Sequence, residues 1–133
     1  MVSPLAETVD AAALLAAVQS AARAADDKKA TEVLVLDVGD VLSITGWFVI
    51  ASGANPRQVR TVAEEVEAQL KAHHGLAPLR VEGLDGLRWV LLDYGDFVVH
   101  VFHAEEREYY QLERLWADVP QVDWQAEGTA EAG

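Results

Sequence analysis

The sequence predicts a single α/β domain: a mixed five-stranded sheet with helices packed on it, in the order α-β-β-α-β-β-β-α. Three observations carry that prediction. Short continuous apolar runs at residues 33–38, 47–51 and 97–102 read as buried strands. Behind Asn55, a first-turn proline and an apolar stripe of helical period mark one long helix. The length of 133 residues, 51% hydrophobic, suits one packed core rather than two.

Taken in order, the first helix is expected over residues 9–25, capped by Thr8 or Asp10, with Leu14, Leu15, Val18, Ala22 and Ala25 as its stripe. Its many alanines give high propensity but little volume, which predicts a helix lying on the core rather than filling it. Asp26-Asp27-Lys28-Lys29 ends it in a solvated turn. The strands at 33–38 and 47–51 are joined without a helix and are expected to be antiparallel neighbours. Asn55-Pro56-Arg57-Gln58 then combines an N-cap, a first-turn Pro and a capping-box Gln. Val59, Val62, Ala63, Val66 and Leu70 form the buried face of the second helix, and Gly75 is its stop.

Three further strands are expected at 78–82, 87–93 and 97–102. Residues 83–86 turn between the first two, and Asp93-Tyr94-Gly95-Asp96 makes a tight hairpin between the last two. A third helix is expected over 105–116, with Tyr109, Leu112, Leu115 and Trp116 buried. The central helix lies within a parallel crossover. Strands apolar on both faces, with three helices to cover them, leave some face or edge for a partner. The domain is assigned to residues 1–118. Residues 119–133 are read as an acidic, disordered tail without apolar period.

Charge narrows the function classes. Ten Lys and Arg against 22 Asp and Glu give a net charge of −12. Phosphate contacts need clustered bases, so extensive nucleic-acid contact is not expected; a basic protein partner is. The absence of Cys excludes disulfides, thiolate-bound metal and thiol catalysis. No apolar run is long enough for a membrane span and no secretory start is recognisable, which predicts a cytoplasmic protein.

Catalytic patterns are sparse. His100 and His103 make H-x-x-H, but on a strand residues three apart point to opposite faces, so no metal site is assigned. Asp93 and Asp96 could pair as carboxylates, although turn Asp residues usually bond their own backbone. Ser52-Gly53 with Arg57 and Arg60 could hold an anion, but local capping explains that segment. There is no phosphate loop and no nucleophile elbow. No cofactor is called for. Trp89 shares a strand face with Leu91 and Asp93 and is either a core aromatic or an interface anchor.

The string Ile44-Thr45-Gly46-Trp47-Phe48-Val49-Ile50-Ala51-Ser52-Gly53, followed by Arg57-Gln58-Val59, resembles the ribosomal silencing factor family (RsfS, Iojap-like). So do Glu82-Gly83, the run from Trp89 through Asp93-Tyr94-Gly95-Asp96 to Phe102, and Arg107, Tyr109-Tyr110 and Leu112 to Trp116. The resemblance covers roughly residues 10–118. It implies a fold similar to nucleotidyltransferases without their active site, and a non-enzymatic translation repressor. It further implies binding to a large-subunit ribosomal protein (the bacterial L-fourteen protein), blocked subunit joining under nutrient limitation, and a homodimer when free. Where the family usually carries Asp, this chain has Gly46, so no role of that Asp is carried over. The expected partner surface centres on Trp89, Leu91, Asp93, Tyr94 and Asp96, supported by Arg57 and Tyr110. The enzyme alternative is a small nucleotidyltransferase-like or metal-dependent protein using Asp93, Asp96 and His100. The missing Gly-Ser loop and Asp-x-Asp pair speak against it.

Overall fold

Alternation along each strand sorts the apolar residues onto two faces, and the two long helices cover one of them. The computed structural model describes residues 4–39, 45–110, 114 and 117–125. Its elements are α1 (Pro4–Asp27), β1 (Thr31–Asp37), β2 (Trp47–Gly53), α2 (Pro56–His74), β3 (Arg80–Glu82), β4 (Trp89–Asp93), β5 (Phe97–His103) and α3 (Ala104–Tyr110). The sheet order is β1-β2-β5-β4-β3. All neighbours are antiparallel except β2 and β5, which run parallel with Ile50 opposite His100. The chain between them, α2-β3-β4, is the crossover. The predicted element order and the mixed sheet are those observed.

On the helix face, Val35, Val49, Ala51, Val90, Leu92, Phe97, Val99 and Val101 meet Val59, Val62, Val66 and Leu70 of α2 in one buried cluster. At its amino end, Asn55 Oδ1 accepts the Gln58 N–H at 2.9 Å, and Gln58 Oε1 accepts the Ala54 N–H at 2.7 Å. At the other end Gly75 adopts φ 65°, ψ 26°, the left-handed stop that an L-residue takes up only with strain. Gln58 also donates to the carbonyls of Lys28 and Lys29, tying α2 to the turn that ends α1.

Four expectations are corrected. Thr8 and Asp10 lie inside α1, which begins at Pro4, so neither caps it. The α1 alanines also do more than lie on the core: Ala17, Ala21, Ala22, Ala24 and Ala25 are all within it. Small side chains let α1 approach α2 closely, so low volume becomes close packing. Strand β4 starts at Trp89 rather than at residue 87 because Leu87 takes φ 57° and its N–H bonds the Gly83 carbonyl in a turn.

The fourth correction concerns the tail. The Val122 N–H donates to the Val35 carbonyl and the Asp37 N–H to the Pro120 carbonyl, so residues 120–122 line the outer edge of β1. The Trp124 indole donates to the Val33 carbonyl, and Gln19 and Arg23 of α1 donate to the carbonyls of Asp123 and Trp124. Val122 and Trp124 are the tail's only large apolar side chains past Val119, and packing them covers an edge that would otherwise invite pairing. Residues 119–125 are therefore part of the domain; 126–133 lie outside the described residues. So do Leu112, Leu115 and Trp116 and the side chains of Tyr109 and Tyr110, on which the third helix's buried stripe was expected.

Candidate functional site

The sheet face turned away from α1 and α2 is covered over only part of its width. Towards β1, Leu36, Val38, Ile50 and Phe102 pack with Val119. Helix α3 follows β5 directly and is anchored there: the buried Arg107 Nη1 donates to Ser52 Oγ at 2.9 Å, and Glu32, turned to φ 52° at a bulge in β1, stands 4.0 Å from its guanidinium. Towards β3 the same face is open. There Trp89 and Leu91 from β4, Phe48 from β2, Val98 from β5 and Leu79 ahead of β3 reach solvent, Trp89 at 39% and Leu79 at 73% exposure.

The Trp89 ring is positioned from below. Register sets Trp89 opposite Phe102 and Leu91 opposite His100. The indole lies 4.7 Å from the Phe102 ring and donates its N–H to His100 Nδ1 at 3.1 Å. Phe48 meets the same imidazole edge-on at 4.7 Å. With Nδ1 accepting, the proton of the neutral ring sits on Nε2. Burial lowers the His100 pKa from 6.5 to about 4, so the imidazole stays neutral at physiological pH. Among the described residues its Nε2 is buried without a hydrogen-bond partner, as is Thr45 Oγ1. Both residues line a concavity of about 370 Å³ with Phe48, Leu79, Leu91 and Val98.

Acids and two arginines ring this apolar surface. Asp93 Oδ1 accepts the Gly95 N–H at 2.8 Å, and its Oδ2 accepts from Arg80 at 3.2 Å. Arg80 also pairs with Glu82 at 3.2 Å, and Arg88 is held between Glu105 and Glu106 at 3.3 and 2.6 Å. These pairs are exposed and contribute little to stability; they set charge and orientation at the rim.

The structure therefore brings together Trp89, Leu91 and Asp93 and separates the other expected residues. Tyr94 is not on this face: its ring stacks on Phe97 at 4.8 Å within the helix-side core, where burial raises its hydroxyl pKa. Strand alternation accounts for this: Tyr94 follows Val90 and Leu92 onto the helix side, opposite Trp89, Leu91 and Asp93. Asp96 is exposed beside Leu14, His74 and Leu76 of the helix layer, on the other side from His100. Arg57 is exposed on the first turn of α2, also in the helix layer. Tyr110 closes α3, with its side chain outside the described residues.

The carboxylate pair of the enzyme alternative does not converge. Asp93 is spent on the hairpin and Arg80, Asp96 points away, and His103 uses Nδ1 to accept the Glu105 N–H at the start of α3. Among the described residues, no three His, Asp or Glu side chains are grouped to hold a metal ion. Phe48, Leu79, Val98 and Thr45 were missed in the sequence. Strand alternation puts Phe48 with Ile50 and Val98 with His100, but only the register between strands shows that they share a patch with Trp89.

The chain matches the family model described as ribosomal silencing factor during starvation (RsfS) over residues 11–133. It belongs to the ribosomal silencing factor family. A relative from Bacillus subtilis named ribosomal silencing factor RsfS is 45% identical over 103 residues, 77% of this chain and 86% of the relative. A mouse relative named mitochondrial assembly of ribosomal large subunit protein 1 is 30% identical over 91 residues, 67% of this chain and 40% of that protein. A crystal structure from Chromobacterium violaceum superposes with a TM-score of 0.72 at 35% identity, covering 76% of this chain and 83% of that one. This RsfS-family chain thus shares its fold as well as its sequence with a solved structure. The family is a regulatory one, named for ribosome silencing. At Gly46 an added Cβ would meet only the Asp96 carbonyl at 3.4 Å, so the backbone does not require glycine there. No helix among the described residues is long and apolar enough to cross a membrane.

Proposed function

We propose that this protein docks on the large ribosomal subunit through the open sheet face, using a basic ribosomal protein at the subunit-joining surface (the bacterial L-fourteen protein). Docked there, it excludes the small subunit by bulk and lowers translation when nutrients are scarce. The observation that carries this reading is Trp89. A chain with a full core leaves its β4 indole 39% exposed, yet fixes it with a hydrogen bond to a buried His. An exposed but immobilised aromatic loses little entropy on binding, which is what an interface anchor requires. Leu91 extends the apolar area and Asp93 and Glu82 supply the negative rim. The net charge of −12 favours encounter with a basic surface. The family name supports ribosome silencing, and the mouse relative's name supports the large subunit.

The protein works in the cytoplasm on this reading, and free copies pair as a homodimer that hides the apolar face. Sedimentation with separated subunits tests the proposal. The protein should travel with large subunits and not with small ones, and added small subunits should fail to join. Equal binding to both subunits, or to neither, would refute it.

A further inference from the structure

The concavity beside Trp89 has a floor that apolar docking alone does not explain. His100 and Thr45 both line it, and the His100 Nε2–H and the Thr45 hydroxyl are both buried with no hydrogen-bond partner among the described residues. A polar group that has given up water without gaining a partner is costly to keep, so a folded protein rarely holds two in one place. Ordinary packing would replace Thr45 by Val and His100 by an aromatic ring at no loss of shape.

The charge around the site narrows what could satisfy them. His100 is neutral and offers a donor at Nε2, because Nδ1 is already taken by Trp89. Thr45 offers a second donor. Arg80 also lines the concavity but is paired with both Asp93 and Glu82, and these two carboxylates, with the acidity of the whole chain, disfavour an anion. A cation would meet the positive end of an N–H. What remains is an uncharged acceptor with two lone pairs, which describes a carbonyl oxygen.

We propose that this concavity is a specificity pocket for a main-chain carbonyl on a protruding loop of the basic ribosomal protein, received jointly by His100 Nε2–H and the Thr45 hydroxyl. This rests on the docking reading above. The rings against the imidazole, Phe48 and Trp89, are themselves partly exposed and part without disturbing the core beneath. The pocket adds selectivity that Trp89 lacks: any apolar surface contacts an indole, whereas only a correctly placed acceptor relieves two stranded donors.

The test is binding of purified full-length variants to isolated large subunits, each paired with its melting temperature. Thr45→Val removes a stranded hydroxyl at constant shape, so melting should stay the same or rise while affinity falls about tenfold. A purely structural Thr45 would not move the two in opposite directions. His100→Asn keeps an acceptor facing the Trp89 indole but withdraws the donor from the pocket, and should weaken binding by a similar factor. Val98→Phe, at the partly exposed rim, fills the concavity and should weaken it further. Wild-type affinity in both Thr45→Val and Val98→Phe would overturn the pocket while leaving the docking face standing, provided Trp89→Ala still loses binding. If wild-type protein does not sediment with large subunits at all, the docking reading itself fails.

Discussion

Trp89 and His100 are diagonal neighbours on adjacent antiparallel strands, two register positions apart on one face, and the indole N–H of the first donates to Nδ1 of the second at 3.1 Å. The pair converts an exposed ring into a fixed one and sets the tautomer of a buried imidazole. Each partner constrains the other, and both can be tested.

Trp89→Ala should abolish anti-association activity in a protein that remains folded. Truncating a central interface Trp costs about 2–4 kcal/mol of binding, or roughly 30- to 1000-fold in affinity. With 39% of the residue exposed, the stability cost should be about 1–2 kcal/mol, below the 3–5 of a fully buried aromatic. Large-subunit binding and thermal melting measured on the same preparation check both values.

His100 makes stability depend on pH in a defined window. Its folded pKa of about 4 lies below the 6.5 of a free imidazole, so as pH falls the unfolded chain takes up the proton first. The stability gained from keeping the ring neutral is complete above about 6.5 and is lost as pH drops towards 4. It amounts to something on the order of 3 kcal/mol. In His100→Phe the melting temperature should fall less steeply between those two pH values than in the wild type. Parallel curves would contradict the buried, neutral ring.

Tyr94→Phe should stabilise the protein. The Tyr94 hydroxyl is buried without a partner among the described residues while its ring stacks on Phe97, so removing the oxygen relieves desolvation and keeps the stack. A gain of about 1 kcal/mol is expected in denaturant unfolding, with large-subunit binding unchanged.

Gly83→Ala should damage the anchor from a distance. Gly83 has φ 89°, and a Cβ there would collide with the Trp89 carbonyl. Relief requires the start of β4 to move, so both stability, by about 2 kcal/mol or more, and large-subunit affinity should fall together. A protein that loses neither would show that the turn can relax without shifting Trp89.

Ending the chain after Asp118 should lower stability by about 2–4 kcal/mol, through loss of Trp124 packing and the bonds to Val35 and Asp37. Ending it after Gln125 keeps those contacts and should change melting little.

Much of this architecture is legible locally. Asn55, Pro56 and Gly75 bracket α2 because caps and stops are set by neighbouring backbone alone. The two-residue alternation at Trp89, Leu91 and Asp93 gave their common face for the same reason. What was not legible depends on contacts distant in sequence. Nothing near Trp124 announces that it reaches Val33, and the alanines of α1 read as filler until α2 is laid against them. Tyr94 was legible as well: alternation sets it with Val90 and Leu92 on the helix side, so its expected place beside Asp93 in the partner surface runs against the strand period.

The pairing of residues 120–122 with β1 carries a consequence for how the protein is made. Gln19 and Asp123, which meet across the same seam, are 104 positions apart. A nascent chain therefore displays β1 with an unsealed edge until residues 120–124 have been synthesised. Closing so long a loop adds to the entropic barrier and slows the last step of folding. The seam is also the natural place for a mature molecule to open first, which makes the β1 edge the expected route to aggregation during synthesis or heat stress.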